Sequence, residues 1–423
     1  MRLYTTVRGT HDLIGEELDN FNKIEEAAKY IAKAYNFKEI RTPIFEFAGV
    51  FEKNIGESTD IINKEMYIFE DRSANRLALR PEGTAAVVRA LLSNKELQSL
   101  PQKLFYLGPM FRYERPQKGR QRQFHQFGIE YLGTNSYISD IEIINLATNF
   151  LKRLEITDYK LIINSLGNKQ ALTSYKIALL DYLTDKVSRL SADSRLRLEK
   201  NPLRILDSKD SKDKEILKDA PDIAAFLSIE DKEKFNKVLE GLTFLGIPFE
   251  IDLNLVRGLD YYTNTIFEII TTNLGAQGTL IAGGRYDHMI KDMGGEEVGS
   301  FGFGAGIERL SLMLKPNNFT YKNIAIITTL EQYNQQALAL SQLVRHHYKF
   351  AADIILGKDI GSKLKKINTE SFFATIIVGE KDYNDGILTL KYSVDNSKQF
   401  SIVKIKTEQL EEFLTKEFSQ YKL

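Results

Sequence analysis

Apolar residues recur every three or four positions over the first clearly patterned part of the chain, residues 17–35. This spacing places them on one stripe of a helix and predicts an amphipathic helix that covers a core. Residues 37–46 follow and include Pro43, which fixes its own φ and keeps the preceding residue out of the helical region. We therefore expect an interrupted or edge strand there. The helical stripe consists of Leu18, Phe21, Ile24, Ala28, Ile31 and Tyr35.

A long hairpin is predicted between Lys103 and Leu132, where two extended runs flank the basic loop Arg115–Gln121. That loop is too long for a tight two-residue turn, so the hairpin has a cationic tip. Because side chains alternate along a strand, one face is polar and the other is apolar. A solvated sheet face would explain the charges alone. A planar ring, Phe124, shares the polar face, however, and the combination suits a floor for a flat ligand beside anchors for phosphates.

The rest of the chain predicts two further regions. Charged helical sequence between about residues 167 and 242 indicates a helical insertion, after which extended runs return at 249–255, 265–272 and 278–282. From residue 324, strands alternate with helices in the way that is typical of a separate α/β domain. We therefore expect an α+β protein with one domain over 1–323 and an α/β domain over 324–423, joined by a turn-rich linker at 315–318.

Composition narrows the class of protein. No stretch approaches the ~20 consecutive apolar residues that a membrane span needs. The chain has no cysteine, which excludes disulfides, thiolate catalysis and cysteine-rich zinc sites, and its amino end lacks a signal-peptide pattern. We expect a cytoplasmic protein. Lys plus Arg and Asp plus Glu number 57 each, so a polyanionic partner would have to meet a local basic patch.

Several motifs together resemble a known family. The run through Pro43, the hairpin sequence from Phe111 to Phe124, and Gly302–Leu310 resemble motifs 1, 2 and 3 of the class II aminoacyl-tRNA synthetases. Leu255–Tyr262 and Ala282–Asp287 resemble the two histidine-specific motifs of the histidyl-tRNA synthetase family. The resemblance covers the chain except the helical insertion. It implies an antiparallel sheet flanked by helices and a carboxy-terminal anticodon-binding domain.

The resemblance also implies a role for particular residues. Arg112 and Arg257 would be catalytic and would contact the α-phosphate of ATP from opposite sides, while Glu130 and Tyr262 would read the imidazole nitrogens of histidine. Gly283 and Gly284 would let the backbone approach the substrate. The residues implied in ATP binding are Arg112, Glu114, Arg120, Phe124 and Arg309. Those implied in histidine binding are Glu82, Thr84, Gln126, Glu130, Tyr261 and Tyr262.

The implied activity is the ATP-dependent ligation of L-histidine to tRNA(His) through histidyl-adenylate. Mg²⁺ would bind the β and γ phosphates, and we expect no metal site made by protein side chains alone. The enzyme would be a homodimer. Lys358, Lys363, Lys365 and Lys366 would be either a solvated face or a footprint for RNA backbone. The alternative is a non-catalytic paralogue, the regulatory subunit of ATP phosphoribosyltransferase. Asn264 departs from the family pattern, which usually has glycine there.

Overall fold

The computed structural model describes residues 4–55, 59, 61–275, 278–315, 323–369, 372–379, 382, 384–393 and 400–419. The chain divides into two compact units, Met1–Lys315 and Pro316–Leu423. The first unit is mixed α and β around a large, mainly antiparallel sheet flanked by helices, which confirms the predicted fold class. Of the predicted linker, residues 316–318 lie outside the described residues.

Eleven strands and ten helices make up the described part of the first unit. The strands are β1 Lys38–Glu39, β2 Phe45–Phe47, β3 Ile68–Glu70, β4 Arg76–Leu79, β5 Gln102–Phe111, β6 Gln123–Leu132, β7 Lys160–Ser165, β8 Glu250–Ile251, β9 Thr263–Ile270, β10 Thr279–Arg285 and β11 Ser300–Gly306. The helices are α1 Gly15–Ala34, α2 Gly49–Ile55, α3 Thr84–Ser93, α4 Tyr137–Arg153, α5 Lys169–Thr184, α6 Ala192–Lys200, α7 Ser211–Leu217, α8 Ile229–Phe244, α9 Met289–Asp292 and α10 Ile307–Ser311.

The large sheet has eight strands in the order β1-β5-β6-β11-β10-β9-β7-β8. All pairs are antiparallel except β1 with β5 and β7 with β8. The hairpin β5–β6 has the predicted faces, since Phe127 and Ile129 are buried in the main core with α1 and α4. Gln126, on the opposite face, pairs with Gly108 and lines a cleft. One face of the hairpin therefore packs in the main core, and the other carries both the cleft and a second apolar cluster that includes Tyr106 and Met110.

The extended segment around Pro43 is an interrupted strand, as predicted. It holds only β1 and β2, and β2 joins β3 and β4 in a separate three-stranded sheet. The buried Arg80 fixes this junction, because its guanidinium donates to the carbonyls of Pro109, 2.8 Å away, and Thr42, 2.9 Å away. This small sheet leaves large apolar side chains exposed, and they are Ile44, Phe45, Phe47, Ile68 and Phe69.

The predicted helical segment contains α5 to α8, and its helices belong to two different cores. Tyr175 of α5 and Ile205 pack in a core of their own with Tyr262. By contrast, Val238 and Leu242 of α8 are buried in the main core, where α8 packs on α4. The part of the helical segment that packs apart from the main core therefore ends before α8.

The second unit is built on a five-stranded sheet. The strands are β12 Asn323–Thr328, β13 Ala352–Ile354, β14 Phe372–Val378, β15 Ile387–Ser393 and β16 Phe400–Lys406, and the helices are α11 Asn334–Gln342, α12 Ile360–Thr369 and α13 Leu410–Phe418. The strand order is β13-β12-β14-β15-β16. The first three strands in this order are parallel, and β15 and β16, which are not among the predicted strands, pair antiparallel. Across both units, no helix within the described ranges is long and apolar enough to cross a membrane.

Candidate active site

A cleft of about 820 Å³ opens on the polar face of the large sheet. Eleven of the twelve site residues implied by the resemblance line it, although they come from sequence positions 82 to 309. The twelfth, Glu130, is buried and accepts a hydrogen bond from the lining residue Thr84. The lining residues from that set are Glu82, Thr84, Arg112, Glu114, Arg120, Phe124, Gln126, Arg257, Tyr261, Tyr262 and Arg309.

Glu130 is a buried carboxyl held by two hydroxyl donors. Thr84 Oγ1 donates to Glu130 Oε1 over 2.6 Å, and the phenol of Tyr286 donates to the other oxygen. Burial raises the pKa of Glu130 to about 8, against the opposing effect of these two donors. The raised pKa favours the protonated form of this carboxyl near neutral pH.

Glu82 lies at the N-terminus of α3 and caps it. Its carboxylate accepts the backbone N–H groups of Thr84 and Ala85, at 2.7 and 2.8 Å. Burial raises the pKa of Glu82, while these two hydrogen bonds and Arg112 act in the opposite direction. These hydrogen bonds fix the carboxylate in place at the edge of the cleft. A carboxylate held in this way has lone pairs left for a further donor.

Tyr106 is a cleft residue that the sequence analysis missed. Its ring lies against two glycines, since a Cβ at Gly83 or at Gly128 would come within 2.1 Å of Tyr106 Cζ. Burial raises its pKa well above the ordinary value, so the phenol stays protonated. The glycine in the Arg-Pro-Glu-Gly-Thr turn and the glycine in β6 are therefore required by one tyrosine, and the only sequence signal was the pair of small residues.

Tyr261 and Tyr262 form an aromatic wall of the cleft. Their ring centroids are 4.6 Å apart, and Tyr261 also meets Tyr286 edge-on at 5.8 Å. Burial raises the pKa of both wall tyrosines. Neutral phenols at this wall can donate or accept one hydrogen bond each, which suits a ring with nitrogens on opposite sides.

Arginine–carboxylate pairs occupy the hairpin end of the cleft. Arg112 lies 5.1 Å from the centre of the Phe124 ring and donates Nε to the carbonyl of Pro81 over 2.8 Å. Glu114 is buried and forms an ion pair with Arg120, and Arg112 Nη1 lies 3.8 Å from it. The planar guanidinium groups are thus oriented by fixed partners and point a fork of donors toward the cleft.

A second arginine–carboxylate pair lines the same cleft. Arg257 forms an ion pair with Glu268, and Thr279 Oγ1 donates to the other oxygen of Glu268 over 3.2 Å. Arg309 donates to the carbonyls of Thr279, at 2.7 Å, and Gly119, at 3.3 Å, and so links the hairpin tip to β10. The cleft therefore carries several guanidinium groups, which suits a polyphosphate.

The two glycines expected to admit substrate have a packing role in the sheet. A Cβ at Gly283 would lie 2.2 Å from the carbonyl oxygen of Gly302, and one at Gly284 would lie 2.8 Å from Ile266 and from the carbonyl of Thr265. These neighbours are adjacent strands. The glycines let β10 pack closely between β9 and β11, and their approach to substrate stays a prediction.

The helical segment forms a roof that the sequence analysis did not foresee. Residues 191–193 and 207–210, with Arg197 and Arg204, line the same cleft. The sequence there reads as ordinary charged helix, and only the tertiary fold brings it over the sheet. The cleft is thus enclosed by residues of both the sheet and the helical segment.

The lysine cluster of the second unit is only partly a surface feature. Lys358, Lys365 and Lys366 are exposed, but Lys363 is buried. Its Nζ donates to the carbonyl and the hydroxyl oxygen of Thr328, at 2.9 and 3.0 Å. Lys363 therefore holds α12 to the end of β12, and the expectation that it belongs to a surface cluster is wrong.

Comparisons with known proteins point to one family. The sequence model described as histidyl-tRNA synthetase matches residues 9–310. A histidine–tRNA ligase from Cyanothece sp. is 44% identical and covers 93% of this chain and 92% of its own, and one from Wolbachia pipientis is 44% identical over 95% and 98%. The solved apo histidyl-tRNA synthetase of S. aureus superposes with a TM-score of 0.78 at 31% identity, covering 97% of this chain and 99% of its own. A Bacillus halodurans protein described as an ATP phosphoribosyltransferase regulatory subunit/histidyl-tRNA synthetase has a TM-score of 0.67 at 21% identity, covers 90% of this chain and 100% of its own, and shares the fold alone.

Proposed function

The chain belongs to the histidyl-tRNA synthetase family, and on that premise we propose how its cleft joins L-histidine to tRNA at the expense of ATP. Relatives named histidine–tRNA ligase match more than nine tenths of the chain. The activity is therefore the charging of tRNA with histidine, and this is favoured over the regulatory paralogue. The observation that carries the proposal is the convergence of eleven of the implied site residues on one cleft.

The first step forms histidyl-adenylate. A carboxylate oxygen of histidine attacks the α-phosphorus of ATP, and the bond to the bridging oxygen breaks as pyrophosphate leaves. Arg112 and Arg257 contact the α-phosphate from opposite sides, Arg120 binds the terminal phosphates, and Phe124 and Arg309 hold the adenine. Catalysis consists mainly of positioning and charge stabilisation, as is usual in phosphoryl transfer.

The histidine pocket lies at the Glu130 end of the cleft. Glu130 and Tyr262 accept hydrogen bonds from the two imidazole nitrogens, and Tyr261 shapes the wall. Glu82, Thr84 and Gln126 hold the α-amino and carboxylate groups. The capped position of Glu82 supports this assignment, because its carboxylate is fixed beside the pocket.

Mg²⁺ is proposed to accompany the β and γ phosphates. Among the described residues no group of three side chains could hold a metal ion by itself. Glu114 and Glu268 are two of the carboxylates that line the cleft, and Mg²⁺ needs only one or two beside substrate phosphates and water. These two residues would hold the ion, which would neutralise phosphate charge.

In the second step, the terminal ribose hydroxyl of tRNA attacks the activated carbonyl, and AMP leaves. Residues 1–323 are proposed as the catalytic domain with the helical insertion about 167–242, and residues 324–423 as the anticodon-binding domain. The exposed lysines of α12 and the loop before it support contact with an RNA backbone. Residues 191–210 of the insertion close the cleft around the adenylate.

Two further features complete the proposal. The exposed apolar residues of the three-stranded sheet, among them Phe45, Phe47 and Phe69, support a homodimer in which a second copy covers them. The absence of cysteine from the sequence agrees with a cytoplasmic location, where disulfides are not formed.

Pyrophosphate exchange into ATP, measured with each of the twenty amino acids, tests the proposal. Exchange should occur with L-histidine and not with near isosteres, because a different ring leaves the buried polar groups of Glu130 and Tyr262 without hydrogen-bond partners. Equal exchange with another amino acid, or exchange with none, would contradict the function.

A further inference from the structure

Asn264 occupies a left-handed backbone conformation at the start of β9, with φ at 48°. Asparagine tolerates this region better than most residues, but glycine adopts it without strain. The backbone geometry alone would therefore be met by glycine, which the family pattern usually has here. An asparagine at this position is informative because its side chain can do something that glycine cannot.

The side chain of Asn264 makes a specific contact. Its amide Nδ2 donates to Asp287 Oδ2 over 2.8 Å, and Thr263 Oγ1 donates to the same oxygen over 3.0 Å. Asp287 also lies 3.6 Å from Nη1 of the buried Arg285, so its charge is compensated. A hydrogen bond to an ionised acceptor is among the stronger kinds in proteins.

The contact joins two segments of the chain that carry pocket residues. Tyr262 comes two residues before Asn264, and Tyr286 comes directly before Asp287. The phenol of Tyr286 donates to Glu130, and the ring of Tyr261 packs edge-on against Tyr286. The Asn264–Asp287 hydrogen bond therefore ties the segment that carries Tyr261 and Tyr262 to the segment that carries Tyr286, the donor to Glu130.

Asn264 also anchors the chain where the helical segment begins. Its backbone N–H donates to the carbonyl of Gly167, and its carbonyl accepts the N–H of Leu166, both over 2.8 Å. Its main chain is thereby fixed on one side by β-type pairing and its side chain on the other by Asp287. The residue is held firmly enough to transmit a fixed position to its neighbours in sequence.

We propose that Asn264 is a positioning residue for histidine recognition, which fixes the separation of Tyr262 from Tyr286 and Glu130 through its hydrogen bond to Asp287. It does not touch the substrate. The inference rests on the proposed assignment of these groups to the histidine pocket. It concerns the identity of this one residue in this chain, and the general reaction does not depend on it.

The test replaces Asn264 by glycine, which keeps the backbone conformation and removes only the side-chain donor. In pyrophosphate exchange, Asn264→Gly should raise the KM for histidine roughly fivefold to tenfold and leave the KM for ATP within about twofold, because only the histidine walls are loosened. The matched control is Asn36→Gly, at an exposed asparagine with a similar φ of 61°. It should change neither constant.

A donor–acceptor swap gives a second test. Asn264→Asp alone places two carboxylates together and should raise the histidine KM further, whereas adding Asp287→Asn restores a donor and an acceptor and should bring it back. Recovery in the double variant supports the proposal even if the glycine variant does not fold. The proposal is overturned if Asn264→Gly leaves the histidine KM unchanged, if both KM values rise equally, or if the swap gives no recovery. Failure of the proposed function is distinct, since the parent protein would then show no histidine-dependent exchange.

Discussion

Arg257 is ion-paired with Glu268 inside the cleft, and its guanidinium carbon lies 5.5 Å from the centre of the Tyr262 ring. Glu268 thus orients Arg257 at the boundary between the proposed phosphate and histidine sites. A guanidinium fixed in this way needs little reorganisation when charge builds up on the α-phosphate.

Replacing Arg257 by alanine should lower the exchange rate by ~10²-fold or more, the scale for losing one preorganised electrostatic contact, with little change in histidine KM. Lysine should rescue poorly because a point charge lacks the planar fork. Pre-steady-state measurement of adenylate formation gives the answer. Arg153→Ala is the control, because Arg153 also lies over a tyrosine ring, at 3.6 Å from Tyr30, but is on the surface. Adenylate formation at the parental rate would make Arg257 structural.

Removing the hydroxyl of Tyr262 should weaken histidine binding selectively. Tyr262→Phe keeps the buried ring and its packing on Tyr261 but removes one polar reader, so the histidine KM should rise by roughly tenfold while the ATP KM changes little. Steady-state exchange with each substrate varied in turn measures both constants. A defect confined to the ATP KM would show that the two ends of the cleft have been assigned in reverse.

The raised pKa of Glu130 predicts a pH optimum for histidine binding. Burial raises this pKa to about 8, so the free carboxyl is protonated below that pH. The imidazole of histidine has an ordinary pKa of ~6.5. Between these two pKa values, free imidazole is neutral and Glu130 is protonated. The proton on Glu130 is the one that an imidazolium–carboxylate pair requires, so binding in this window neither releases nor takes up a proton. Binding must release a proton below this window and take one up above it, so the KM should rise on both sides.

Kinetics between about pH 5.5 and 9.5 measure this window, whose lower edge is the ordinary imidazole pKa. The Glu130→Gln variant cannot ionise at this position. The upper limb of its profile, which is the rise of the histidine KM at high pH, should therefore disappear or move. An upper limb identical in the parent and the variant would assign it to another group, such as the α-amino group of histidine.

Sequence patterning predicted the hairpin well because its evidence is local. Alternation gave the faces of β5 and β6, and Pro43 marked the interruption before β2. The same kind of signal was present in β15, where Leu388 and Leu390 alternate with polar residues and are buried, but it was overlooked. These elements depend on neighbours in sequence.

The missed parts of the site depend on contacts between distant positions. The ring of Tyr106 requires glycine at positions 83 and 128, which lie 23 and 22 positions away in the sequence and have no local pattern in common. Lys363 looked like one more surface lysine, since only the fold shows that its ammonium meets Thr328. Side chains that act through long-range packing leave almost no trace in the spacing of residues.

The exposed lysines of the second unit should affect tRNA charging without affecting adenylate formation. Replacing Lys358 and Lys365 by alanine removes two cations that the proposal places near RNA phosphates. Charging should fall severalfold and the salt dependence of tRNA binding should become shallower by roughly one unit for each lost contact, while exchange is unchanged. Lys363→Met is the contrasting variant: it should lower thermal stability, because it removes two buried hydrogen bonds. Unchanged charging in the double variant would mean that Lys358 and Lys365 are only a solvated face.

The roof of the cleft should depend on the carboxylate of Asp213, which is fully buried. It accepts hydrogen bonds from the backbone N–H and hydroxyl of Ser191 and from the hydroxyls of Ser194 and Ser208, at 2.6 to 2.8 Å. Burial opposes ionisation, but these donors outweigh it and lower the pKa of Asp213 to about 2. Because Ser191 and Ser208 line the cleft, the carboxylate holds both segments of the roof, 191–193 and 207–210.

A carboxyl with a lowered pKa stabilises the fold fully above its ordinary pKa of 3.8, and this contribution is lost as the pH falls toward about 2. Asp213→Asn should therefore cost about 2 kcal/mol of unfolding free energy at neutral pH, and the difference from the parent should shrink below about pH 4. Urea unfolding at several pH values measures it. Asp231→Asn is the matched control, since that buried aspartate accepts the N–H of Ser228 in the capping box of α8 and lies outside the roof. A smaller loss of unfolding free energy in Asp231→Asn, together with a KM that rises only in Asp213→Asn, would show that the serine-bound carboxylate supports the cleft. Equal effects in the two variants would mean that Asp213 only stabilises the fold.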